Sequence, residues 1–221
     1  GAAREMGFDR SMILGYGHDD SSCAYPSMVA QLEMADQDLK TTAVSVLVDK
    51  EEIGSVGASG MDSRFFENTI ATLMELAGET GGVKLRHALA NSKMISSDVS
   101  AGFDPAYASV FDTRNVAFLG HGLAFNKFTG SRGKSGSSDA DAEYVAEIRR
   151  IMDDAQVTFQ TCELGKVDAG GGGTIAYMSA KYGMNVIDSG VPVLSMHAPW
   201  EVVSKADLYE AYKGYVAFLK A

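Results

Sequence analysis

Cysteine is scarce in this sequence. Cys23 and Cys162 are the only two in 221 residues, and neither belongs to a CxxC or CxxH arrangement. A disulfide framework needs more than that, so both read as buried free thiols of a protein kept in a reducing, cytoplasmic compartment. Positive charge is also short. Lysine plus arginine reach 19 against 29 aspartates and glutamates, a net charge of −10. That balance argues against a nucleic-acid backbone or an anionic membrane as partner. No apolar run approaches the roughly 18 residues of a membrane span. A basic-then-apolar leader is missing as well. The chain opens Gly1-Ala2-Ala3-Arg4-Glu5-Met6, which reads as the interior of a longer protein. Internal repeats and low-complexity tracts are absent.

What is present is material for one core. With 46% of its residues hydrophobic, the chain is long enough to close a single globular domain. Short β-rich runs at 11–17, 42–48, 116–119, 157–159, 185–187 and 191–194 alternate with helical periodicity at 24–36, 63–77, 138–154, 174–182 and 203–218. Apolar strands flanked by helices imply a sheet covered on both faces. The expected fold is therefore α/β, a three-layer α/β/α sandwich on a mostly parallel mixed sheet, with chemistry at the carboxyl ends of the strands.

Four acidic or histidine features read as strand-end residues: Gly17-His18-Asp19-Asp20, Asp49-Lys50-Glu51-Glu52, Ser97-Asp98-Val99 and Met196-His197-Ala198. Each taken singly has a plainer reading. Asp19-Asp20 suits a helix cap, Glu51-Glu52 a solvated pair, Asp98 a turn, and His197 a hydrogen-bonded core histidine. Gathered on one rim, however, like charges repel unless a cation or proton holds them. Carboxylates with an imidazole and no thiolate form a donor set for a catalytic divalent ion. Adjacent Glu51 and Glu52 allow one carboxylate to bind metal while the other serves as general base.

The strings GHDD with CAYPS, DKEEIGS with FFE, SSDVSAGFDP, KVDAGGGGT and VLSMHAPWE resemble the aspartyl aminopeptidase family, relatives of the tetrahedral aminopeptidases, in family order from residue 4 to 201. The resemblance implies a zinc-peptidase-like fold and two divalent metal ions, zinc (Zn2+) with cobalt (Co2+) or manganese (Mn2+) as alternatives. It implies removal of acidic or neutral N-terminal residues from a peptide substrate by a metal-bridged hydroxide. Asp19 would bridge both metals, and Glu51 would be the general base. Glu52 and His197 would hold one metal, Asp98 the other, with Asp20 supporting Asp19. Ser21 stands where the family often has a basic residue, which leaves the metal ligands untouched.

Substrate contacts are expected from Gly171, Gly172 and Thr174 in the glycine loop, whose plainer reading is a turn. Lys127 is expected to contribute with Arg132 and Lys134 nearby, and His121 after them; His18 reads as a neighbour of the metal site and His87 as structural. The resemblance also implies a homo-oligomer (a dodecamer). The 221 residues then read as the C-terminal portion of the catalytic metallopeptidase domain, with an N-terminal segment bearing a further metal-binding histidine and an inserted oligomerisation domain outside them. Two alternatives stay open: an incomplete, non-catalytic fragment of such an enzyme, and a related metallo-carboxypeptidase or deacylase.

Overall fold

The computed structural model describes residues 1–131, 135–166 and 172–221. Its first sheet contains β1 (Arg4–Met6), β2 (Met12–Gly15), β4 (Ser100–Ala101), β10 (Pro192–Leu194) and β11 (Glu201–Ser204), in the order β1-β2-β11-β10-β4. A second sheet holds β3 (Lys93–Ser97), β5 (Leu123–Asn126), β8 (Phe159–Cys162) and β9 (Asn185–Gly190), in the order β3-β9-β5-β8. The two meet along one ladder. Beyond the β3–β9 pairing, Asp98 N–H donates to Ser189 O at 2.8 Å, Ser100 N–H to Val191 O at 3.0 Å and Gly102 N–H to Val193 O at 2.8 Å. Gly190 permits this approach, because a Cβ there would lie 1.3 Å from Asp98 O.

Both faces of the joined sheet are buried, as the three-layer expectation requires. Ile95 and Ile187 belong to the main core with Val203, Ile148 of α4 (Ala142–Asp154) and Tyr215 of α6 (Lys205–Lys220). Their strand neighbours Met94 and Val186 point the other way, into a second core. That core holds Ala176 of α5 (Ala176–Ala180), Ile70 of α2 (Phe65–Leu76) and Leu89 of α3 (Gly82–Ala90). Side chains alternate across a strand, so β3 and β9 bury apolar side chains on both faces, beside the buried polar Ser96, Asp188 and Ser189, and each fully buried aliphatic contributes about 1.5–3 kcal/mol. On the first face α1 (His18–Glu33) packs beside α6. Cys23 and Cys162 are free and buried.

Several boundaries differ from the sequence expectation, each for a tertiary reason. The sheets are mixed, but among the described residues five pairings are antiparallel and three parallel, so "mostly parallel" does not hold. Residues 42–48 form no strand. Val44 and Leu47 are exposed, and β-propensity without a partner edge makes no ladder. The run 116–119 is not a strand either. Both backbone groups of Phe118 are taken at 2.9 Å by the Gln160 side-chain amide. Helix α4 starts at Ala142 rather than 138, because Ser138 and Asp139 pair with Thr129 and Phe128 in a hairpin of β6 (Phe128–Ser131) and β7 (Ser135–Asp139).

Candidate metal centre

Strands β2 and β10 both run antiparallel to β11, which lies between them. Their carboxyl ends therefore emerge at one edge, beside the start of β11. The chain leaving β2 turns through Gly17 into α1, and Asp19 and Asp20 open that helix with non-helical backbone angles. The chain leaving β10 carries His197 in a turn closed by Ala198 N–H to Ser195 O at 2.8 Å. Glu201, only 2% exposed, accepts the Asp19 N–H on Oε2 at 3.1 Å. This buried acid fixes the backbone of Asp19, and it is a residue that sequence reasoning missed.

Glu51 and Glu52 sit in a single 3-10 turn. Ser55 N–H donates to Lys50 O at 2.7 Å and Asp62 N–H to Ser55 O at 3.1 Å, which cinches the loop. Gly60 allows the closure, since a Cβ would come within 2.0 Å of Ser55 O. Lys50 and Ser55 take left-handed angles, φ 68° and 59°, a conformation that costs non-glycine residues energy and that clusters at functional sites.

These elements converge. His197 Nε2 lies 3.1 Å from Asp19 Oδ2 and 3.3 Å from Glu52 Oε1. The three ligand atoms all fall within 4.8 Å of one another. Asp19 is the least open of them, with 12% of its side chain exposed, while Glu52 and His197 keep 60% and 62%. The group is anchored on its inner side and open on its outer side. Glu51 adjoins it. Its carboxyl is held above the usual range by burial and by the charge of Glu52, with His197 pulling the other way.

Beneath lies a second acidic pair. The Asp20 carboxyl is pushed up to about 9 by burial, then by Asp98, with Asp19 and Glu51 adding to it and the Cys23 thiol opposing. Asp98 is pushed up to about 8 by burial and by Asp19 and Glu51, although it accepts the Val99 N–H at 2.7 Å. Asp19 itself rises to about 6, through burial and its contact with Glu52. Asp20 Oδ1 is buried without a hydrogen-bond partner among the described residues. Each carboxylate makes the next harder to ionise, and the basic group acting on Asp19 and Glu51 is His197. Two carboxylate oxygens, an imidazole nitrogen and an orphaned buried acid oxygen fit a divalent cation, and the N/O donors suit zinc.

Other sequence candidates fall elsewhere. Burial lowers the His18 pKa, although neighbouring Glu201 raises it, and His18 directly precedes Asp19 at the start of α1. His121 stands exposed before β5, its ring 5.6 Å from Phe118, and the flanking Gly120 and Gly122 N–H groups both donate to Asp207 at 2.7 Å. It lies outside the Asp19 group. His87 is on α3. Thr174 is buried and directed inward at Thr129, 3.3 Å away, and Gly172 O accepts the Gly130 N–H at 3.2 Å. Gly171, Arg132 and Lys134 lie outside the described residues.

Lys127, expected to bind substrate, instead pairs with Asp139 across the hairpin and lies near Glu163. Burial pushes the Glu163 carboxyl up to about 7, with Lys127 opposing and Asp139 reinforcing the shift. An unfolded glutamate titrates near 4.3, so the folded state holds its proton more tightly. The resulting penalty is full above pH 7 and is lost as the pH falls. Glu163→Gln is expected to unfold at higher urea than the parent at pH 8, with the gap closing by pH 5.

Comparison with known proteins gives consistent matches. A family model described as aminopeptidase I zinc metalloprotease (M18) matches residues 1–219. A probable M18 family aminopeptidase 1 from Clostridium acetobutylicum is 62% identical over 219 residues, covering 99% of this chain and 47% of that protein. The crystal structure of aminopeptidase I from that organism superposes with a TM-score of 0.91 at 61% identity, over 100% of this chain and 47% of the other. An M18-family aminopeptidase structure from Thermotoga maritima gives 0.94 at 41% identity, over 100% and 48%. The Saccharomyces cerevisiae mApe1 dodecamer shares the fold, with a TM-score of 0.80 at 21% identity, over 100% and 48%. The chain spans about half the length of the relatives it matches.

Proposed function

The chain belongs to the aminopeptidase I zinc metalloprotease (M18) family, and from that premise we propose that it carries the metal-binding surface of an aminopeptidase that removes acidic or neutral N-terminal residues from peptides. The observation behind this is the Asp19, Glu52 and His197 group at the carboxyl ends of β2 and β10. In this reading these three side chains hold one zinc ion. Asp98 and Asp19 contribute to a second, and a histidine outside the 221 residues completes it. Zinc bound there supplies a Lewis acid and an activated water at neutral pH; cobalt and manganese suit the same donors.

The remaining chemistry falls to the chain. Glu51 takes a proton from the attacking water and delivers it to the leaving amine nitrogen, its carboxyl held above the usual range by burial and by Glu52. Glu201 holds Asp19 through its backbone N–H, so the carboxylate meets its ligand without rearranging. The acidic rim attracts the positive amino end of a peptide. The glycine-rich segment, of which Gly172 and Thr174 are described and lead into α5, would border that peptide.

The whole protein reads as a cytoplasmic homo-oligomer, a dodecamer like the yeast mApe1 assembly, with these residues forming the C-terminal portion of its catalytic domain. Among the described residues no helix is long and apolar enough to cross a membrane. The test is hydrolysis by the zinc-loaded protein of leucyl and aspartyl anilides beside an N-acetylated peptide. Release from the free-amine substrates, stopped by a chelator and restored by zinc, is the expected result. Cleavage of the acetylated substrate alone would favour a deacylase, and no turnover at all would favour a non-catalytic fragment.

A further inference from the structure

A buried polar knot lies outside the metal centre. Asp188, 3% exposed in the middle of β9, accepts the Thr129 hydroxyl on Oδ2 at 2.7 Å. The Thr129 hydroxyl lies 3.3 Å from that of Thr174, and Thr174 Oγ1 accepts the Ala176 N–H at 3.3 Å, where α5 begins. The Gly130 N–H reaches Gly172 O at 3.2 Å alongside. One carboxylate thus links three pieces of chain: the central strand β9, the β6–β7 hairpin and the segment entering α5.

The arrangement is costly for packing alone. A buried carboxylate is expensive unless it is well partnered, yet Asp188 Oδ1 has no hydrogen-bond partner among the described residues. Burial holds its carboxyl up at about 6 against the pull of the Thr174, Thr129 and Ser96 hydroxyls. A leucine would fill a strand interior at less cost. What an aspartate adds is a directional acceptor that sets where a hydroxyl, and the backbone carrying it, must stand.

We infer that Asp188 is a positioning residue that acts through Thr129 and Thr174 to fix the Gly172–Ala176 backbone against the sheet, and so places the peptide-facing side of that segment for substrate binding. This rests on the reading that the segment borders the peptide. Asp188 stands apart from the Asp19, Glu52 and His197 group. Its charge raises the carboxyl pKa of Asp98, so Thr129→Val, which keeps that charge, isolates the effect on substrate affinity.

Hydrogen exchange tests the positioning and steady-state kinetics test its consequence. Thr129→Val keeps the shape and removes the link. Asp188→Ala removes the acceptor, while Asp188→Asn retains one acceptor oxygen. In the zinc-loaded protein, Thr129→Val and Asp188→Ala are expected to speed exchange at Gly130 and Ala176 at least tenfold, with Asp188→Asn within threefold of the parent. Amides of β2 and β10 should not change. Thr129→Val should raise KM for a leucyl anilide about tenfold with kcat and zinc content within twofold. Unchanged exchange at Gly130 and Ala176 in Thr129→Val would overturn the inference, as would equal loosening of β2 and β10 in that variant. Expected exchange with an inactive parent would leave the positioning standing and remove the aminopeptidase reading instead. Expected exchange with KM unmoved in an active enzyme would overturn the role in substrate binding.

Discussion

Glu51→Gln is expected to lower kcat of the zinc-loaded protein by about 10²–10⁴-fold, the range that a positioned general base supplies, and to leave its zinc content unchanged. Both glutamates lie in one 3-10 turn. Glu52 reaches His197 at 3.3 Å, whereas Glu51 stands beside that group, its carboxyl raised by burial and by Glu52. Glutamine reproduces the shape and the acceptor oxygen but cannot carry a proton. Turnover therefore falls while the ligand set remains. Activity within tenfold of the parent would place the base on another residue.

Asp19→Ala has the second large effect, on affinity. In structural sites, apparent zinc binding of about 10–16 kcal/mol over four protein ligands is about 2.5–4 kcal/mol for each ligand, or roughly 10²–10³-fold. Asp19 is the best anchored of the three, the least exposed side chain with its N–H held by Glu201. Without metal the sign reverses. Asp19 raises the carboxyl pKa of both Asp20 and Asp98, so removing it relieves repulsion. The alanine variant is expected to melt at the same temperature as the metal-free parent or above it, while zinc raises its melting temperature far less. A residue that merely supported the fold would show a loss in both states.

Local signals carried much of this site. Asp19 and His197 were legible because each follows a strand end. Glu51-Glu52 read as the end of a strand at 42–48 that does not form, so only the adjacency of two carboxylates carries that reading. The depth of the acids was not legible. Asp19 faces His197 while its neighbour Asp20 turns toward Asp98 and Cys23, a difference made by the backbone angles at the start of α1. Glu201 was hidden because its role depends on β11 pairing between β2 and β10, and such long-range pairing leaves no mark in local spacing. The ion pair of Lys127 was hidden for the same reason, since its partner Asp139 is across a hairpin.

The fold divides along similar lines. Helices α2, α4 and α6 announce themselves through an amphipathic period. Strand β5 does not, because Leu123, Ala124, Phe125 and Asn126 are all buried and show no alternation. The β6–β7 hairpin is built from serine, glycine and threonine, residues that read as loop until a partner strand is present. Residues 42–48 erred in the other direction, with strand composition and no edge to join.

The central claim is that the acids at this sheet edge are there to hold a divalent ion. Equilibrium dialysis of the metal-free protein against buffered zinc at neutral pH, with zinc counted by elemental mass spectrometry, tests it most directly. The account predicts at least one tightly bound zinc per chain, weakened about 10²–10³-fold in Asp19→Ala and similarly in His197→Ala. Zinc bound equally by the parent and both variants, or no zinc retained by the parent, would contradict it.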